Sequence, residues 1–248
     1  MLTMLKLDLV CLRGQARQVL LMTALLGALF VVSMGPVGAV AAVTVLMPMW
    51  LMNALYALDG DGGWQELRLA MPLTRGQVIA GRYLTGVAAV AAGALAGLVV
   101  CGVVYVVRES MAPYADAGWA IAEFDVSVWV MAGALFAGVC IALLMQAFTM
   151  PFVARFGFTR AVRFVPFLFV ALGLVLMWAV RYVFALVGAG RFAWFTSLAA
   201  GGLTDGVFPA GSYDLSLVLV ACVAALVVLA LYAASCALSR WLYARREF

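Results

Sequence analysis

The chain has 248 residues, is 68% hydrophobic, and carries a formal net charge of +4 with a mean hydropathy of +1.16. Soluble domains run roughly 45–50% apolar, so a water-soluble fold is excluded and a polytopic membrane protein is required. Histidine is absent, which removes the commonest metal ligand and the commonest neutral-pH general base; the five cysteines are scattered without a CxxC pair and read as small apolar residues.

Residues 1–18 predict an interfacial helix. Lys6, Arg13 and Arg17 cluster on one side of a helical wheel, and Leu2, Leu5, Leu9 and Leu12 form an apolar stripe beside them. Such a helix lies along the inner leaflet with its cations at the headgroups.

A membrane-crossing helix needs roughly 20 apolar residues. Val19 to Leu58 contains no charge, and Gly35-Pro36-Val37-Gly38 divides it, predicting spans at 19–34 and 39–58. The first is short, near the length of a signal-peptide core, and Ala39-Val40-Ala41 resembles a cleavage site; it is read as a retained span. Four more apolar runs predict spans at 83–107, 126–150, 164–187 and 215–238.

Between the second and third spans lies a polar island, residues 59–82, with three acids and three arginines in a chain that is only 10% charged. Asp59-Gly60-Asp61-Gly62-Gly63 is a helix stop and turn. Trp64 to Met71 can form two helical turns, which Pro72 ends. Thr74-Arg75-Gly76-Gln77 fits a capping box, with Thr74 as N-cap and Gln77 reaching back. A new helix then runs from Arg75 through Arg82-Tyr83-Leu84 into the third span. Helix, sharp break, helix is the pattern of a segment presented to a soluble partner.

The cations set the orientation. With the N-terminus inside, twelve of fifteen Lys and Arg fall on cytoplasmic segments; only Arg108, Arg181 and Arg191 fall outside. Both termini are therefore expected in the cytoplasm. The outer loops, 108–125 and 188–214, carry aromatics such as Trp119 and Trp194 that fit interfacial anchors. Within the spans, Gly93 and Gly97 form a GxxxG pair, and Gly133/Ala137 and Ala134/Gly138 form similar small-residue pairs, which permit close helix packing. Arg181 lies near the outer end of its span, within snorkelling reach of the headgroups. With Asn53 and Gln146 it completes the short set of candidate pathway residues. No acid is expected inside a span, which argues against a membrane-embedded enzyme.

Two stretches carry a resemblance. Leu69-Ala70-Met71-Pro72-Leu73-Thr74-Arg75, followed by Arg82-Tyr83-Leu84, resembles the cytoplasmic loop of type-2 ABC transporter permeases. The C-terminal Ser239-Arg240-Trp241-Leu242-Tyr243-Ala244-Arg245-Arg246-Glu247-Phe248 resembles the tail of the same group. The six-span layout with both ends inside also fits. The resemblance implies an all-α polytopic membrane protein: one transmembrane domain over 1–248, six helices, the N-terminal interfacial helix, and a short coupling helix between spans 2 and 3. It implies the permease subunit of an ATP-driven exporter in the plasma membrane, bacterial in type, working with a second permease copy, homodimeric or heterodimeric. It implies a cytoplasmic ATP-binding subunit that holds ATP and magnesium. Trp64, Glu66, Leu67, Arg68, Leu69 and Met71 would form the coupling helix, and Pro72, Leu73, Thr74 and Arg75 its exit. The chain has no GxxxxGK[ST] phosphate loop, so no cofactor is expected on it, nor any nucleic-acid partner. Substrates of the family range over peptides, drugs, lipids and glycans. The competing expectation is a non-transporting scaffold or immunity protein that transmits ATPase motion.

Overall fold

The computed structural model describes residues 2–60, 74–111, 128–156 and 215–244, and every described element is an α-helix. In chain order they are α1 (Leu2–Gly60), α2 (Arg75–Met111), α3 (Val128–Phe156) and α4 (Leu215–Ala244). Backbone polar groups in hydrocarbon must be satisfied within the segment, and continuous helices do this.

α1 is two helices joined at Gly35, which has φ 75° and ψ 175°. That φ is open to glycine and strained for other residues. The chain folds back there. Val31 packs on the cluster around Val40, and the Cα of Gly27 faces the Val43 side chain, positions nearly symmetric about the turn. The GPVG break in the sequence is therefore a hairpin corner. Upstream, the segments Met4–Gln15 and Arg17–Ser33 meet at 66°.

Four helical stretches are long and apolar enough to cross a membrane: Gly35–Leu58, Gly76–Ser110, Met131–Phe156 and Ala221–Tyr243. The bent pair before Gly35 makes a fifth if counted as one span. The expected span at 164–187 lies outside the described residues. α2 and α3 extend beyond the expected windows, because each continues into its polar flank with helical backbone intact.

The centre of the bundle is where the second half of α1 crosses α2 and α3. Gly93 of α2 sits over the Pro48 ring and the Thr44 carbonyl; a Cβ there would come within 2.6 Å of Pro48 Cδ. Gly97 lies against Thr44 Oγ1 and Leu135, and Gly138 of α3 lies against Thr44 from the other side. Thr44 is fully buried and turns its hydroxyl back to Val40 O (2.7 Å). Small residues thus let the backbones close around one threonine. The GxxxG face is filled within the chain by Thr44 and Pro48. Gly133, in contrast, has open space around it.

Candidate functional site

α2 starts where the capping box places it. The Thr74 N–H donates to Gln77 Oε1 (3.1 Å), and the Gln77 N–H donates to Thr74 Oγ1 (3.3 Å). Thr74 O also accepts from Gln77 N and Val78 N. Two N–H groups that a helix start leaves orphaned are thereby satisfied reciprocally. Trp64, Glu66, Leu67, Arg68, Leu69, Met71, Pro72 and Leu73 lie outside the described residues. Thr74→Ala is expected to cost about 1 kcal/mol locally. Amide hydrogen exchange at Gln77 and Val78 should rise severalfold while exchange at Val90 stays unchanged; uniform exchange would show that the cap does not hold this end.

Two turns into α2, Arg82 forms a junction. Its Nη1 is 3.5 Å from Asp8 Oδ1, and both side chains are withdrawn from solvent (6% and 0% exposed). Thr85 Oγ1 donates to Asp8 Oδ2 at 2.9 Å. The Arg82 guanidinium stands 6.0 Å from the centroid of the Tyr56 ring, at the limit of cation–π range. Tyr56 is anchored in turn by its hydroxyl on Met150 Sδ (2.7 Å). One arginine therefore ties the N-terminal helix and the end of the hairpin to α2.

Asp8 was not singled out by the sequence, and it changes the picture of the N-terminal helix. The inward face is Met4, Asp8 and Leu12, at i, i+4 and i+8; Leu9, from the expected apolar stripe, is half exposed. Lys6, Arg13 and Arg17 are exposed, on the side away from Asp8. The available signal was Asp8 itself, a lone acid at helical spacing between two apolar residues in a segment otherwise rich in cations.

Tyr83, next in sequence, is the second junction. Its hydroxyl lies 2.7 Å from both Ser235 Oγ and Ser239 Oγ of α4. Ser235 gives its only proton to Ala147 O on α3, so Tyr83 donates to Ser235 and accepts from Ser239. Tyr232 donates to Tyr83 O (2.8 Å), and the two rings meet edge to face at 5.1 Å. Arg82-Tyr83, read above as sequence resemblance, therefore has a mechanical role: one residue holds the N-terminal segment and the other holds the last helix.

Asn53 and Gln146, expected as pathway residues, are brought together. A narrow groove runs between the second half of α1 and α3. Val45, Met49, Met52, Asn53 and Tyr56 line one wall, and Ala142, Met145, Gln146 and Thr149 the other. Each set recurs at three- and four-residue steps and is one face of a helix. Arg181 lies outside the described residues. No cluster of three metal-ligating side chains occurs among the described residues.

Among the described residues the molecule is a bundle of long apolar helices, with α2 capped at Thr74 and braced through Arg82 and Tyr83. Residues 3–244 match the family model described as ABC-2 family transporter protein. No curated protein and no solved structure matches the chain. With the match spanning nearly the whole sequence, the chain belongs to the ABC-2 family of transporter proteins, as a type-2 ABC transporter permease.

Proposed function

We propose that the chain is the permease subunit of an ATP-driven exporter, pairs with a second permease copy, and takes its power from a cytoplasmic ATP-binding subunit docked on residues 64–73. In this reading it has six spans with both termini in the cytoplasm, an interfacial helix over 1–18 and a coupling helix over Trp64–Met71. ATP and magnesium sit on the partner. The observation that carries it is the junction at Arg82. The first two turns of α2, which begin directly after the docking segment, are fixed to the N-terminal helix through Asp8 and to the hairpin end through Tyr56. A push on the loop therefore reaches three elements at once.

The test is reconstitution. The permease should co-purify with an ATP-binding subunit, and in vesicles the complex should turn over ATP faster when transported substrate is present. A stable complex whose ATP turnover ignores every peptide, drug and lipid offered would favour the scaffold reading. Topology is checked separately in a Cys-free background. Asp116→Cys and Asp205→Cys should react with an impermeant thiol reagent in intact cells, and Asp61→Cys should not. Labelling at residue 61 would invert the orientation.

A further inference from the structure

Folding sorts the charges at one end of the described bundle. Lys6 and Arg13 on the segment Met4–Gln15, Arg17 at the start of Arg17–Ser33, Arg155 in the last turn of α3 and Arg240 near the end of α4 are all exposed. Contacts place these segments at one level. Arg82 and Tyr83 are neighbours on α2; the first holds Asp8, on the segment that carries Lys6 and Arg13, and the second holds Ser239, next to Arg240. Met150 holds Tyr56, whose ring faces Arg82, and Arg155 stands roughly 7–8 Å further along α3 at 1.5 Å per residue. α3 and α4 contain no acid. Between residues 2 and 33 the one acid is Asp8, which is fully buried and turned inward to Arg82. The negative charge of these segments is thus withdrawn, and their cations stay outside.

The neighbours of these cations choose among anionic partners. Leu9 and Val10 are exposed and fall on either side of Lys6 and Arg13 on the helical wheel. Phe156, beside Arg155, and Trp241, beside Arg240, are each 51% exposed. Cations interleaved with exposed aliphatic and aromatic side chains match the boundary where headgroups meet acyl chains. A soluble acidic protein or a free anion would meet the cations and leave the apolar neighbours in water. A phospholipid with a net negative headgroup meets both.

We propose that this rim binds anionic phospholipid headgroups in preference to zwitterionic ones, and that the bound headgroups hold Met4–Gln15 and the ends of α3 and α4 at the membrane surface. The assignment to the inner leaflet rests on the topology proposed above and deepens it. The buried Asp8–Arg82 pair serves the surface by being internal, since it keeps a carboxylate from facing the lipid phosphates. Each basic residue near an anionic surface strengthens association about fivefold.

The experiment uses the purified full-length permease alone in a neutral detergent. It is titrated with phosphatidylglycerol or with phosphatidylcholine of identical acyl chains, and retained lipid is read by native mass spectrometry. Phosphatidylglycerol should be held about 25-fold more tightly, the scale of two cations at one headgroup. The triple variant Lys6→Gln, Arg13→Gln, Arg17→Gln should lower that preference about fivefold or more. Arg108→Gln, at the opposite end of α2, should leave it unchanged. Equal retention of the two lipids, a preference that survives the triple variant, or an equal loss from Arg108→Gln would overturn the proposal. Inorganic phosphate is the third arm: it should not displace the lipid at millimolar concentration, and displacement would make the rim a free-anion site instead. If the triple variant does not fold, Arg155→Gln with Arg240→Gln is the second variant, and an undiminished preference there would again overturn the proposal. With no ATP-binding subunit and no leaflets present, failure here leaves the exporter and topology readings standing. An inverted topology would move the bound lipid to the outer leaflet without abolishing its retention.

Discussion

Arg82→Ala is expected to destabilise the permease by about 3–5 kcal/mol, the usual cost of stripping one partner from a buried ion pair. The substitution takes the arginine cation away from the Asp8 carboxylate, which is fully buried and also accepts from the Thr85 hydroxyl. It also removes the cation from the Tyr56 ring. The purified variant should unfold at a clearly lower temperature than the wild type, and its N-terminal segment should become sensitive to protease first. The double variant Asp8→Leu with Arg82→Met is the diagnostic partner. Removing both charges at similar volume should recover most of the loss, because the penalty comes from keeping a carboxylate buried without its cation more than from the missing attraction. If Arg82→Ala matches the wild type in both assays, the junction does not brace the bundle, and the argument from it to coupling fails.

Trp64→Ala combined with Leu67→Ala is expected to uncouple the permease while leaving it folded and inserted. In a helix over Trp64–Met71, Trp64, Leu67 and Met71 fall at i, i+3 and i+7 and form one apolar stripe, with Glu66 and Arg68 flanking it as rim charges. Buried aromatic anchors commonly carry about 2 kcal/mol or more each, which is roughly thirty-fold in affinity. The double variant should therefore lose its co-purifying ATP-binding subunit or the transport-linked part of its ATP turnover. A variant that expresses normally, keeps its partner and transports at the wild-type rate would reduce the segment to a plain connector. The two experiments separate cleanly, since the first acts on the fold and the second on a surface.

Much of the architecture was legible because it depends on local patterns. The apolar windows of α2, α3 and α4 located the helices, since length and hydropathy alone decide whether a segment can cross a bilayer. Thr74 and Gln77 located a helix start to the residue, because a capping box is a local contact three residues apart. GPVG located the hairpin, because only glycine tolerates the backbone angle at residue 35. Pairings between distant segments were not legible. Arg82 was counted only as a cytoplasmic cation; nothing in its neighbours reveals Asp8, 74 residues earlier. Gly93 and Gly97 announced a close approach but not which helix approaches, and Thr44 proved to be the answer. Asn53 and Gln146 were picked out as polar residues in apolar helices, yet their sharing of one groove depends on how α1 and α3 face each other. Periodicity assigns a residue to a face, and only packing gives that face a partner.

The hydroxyl chain through Tyr83 has a consequence for how the protein is made. Tyr83 is separated from Ser235 by 152 residues. At about 5–20 residues per second, the ribosome needs roughly 8–30 s to deliver the partner after the tyrosine has entered the membrane. During that interval a phenol destined for a dry, apolar position must find water or a temporary partner, because an unsatisfied hydroxyl in hydrocarbon is costly. The half-made chain therefore carries an identifiable mark of incompleteness in α2, erased only when α4 arrives. Products truncated before residue 215 would keep that mark indefinitely, giving membrane quality control a chemical basis for distinguishing them from finished permease.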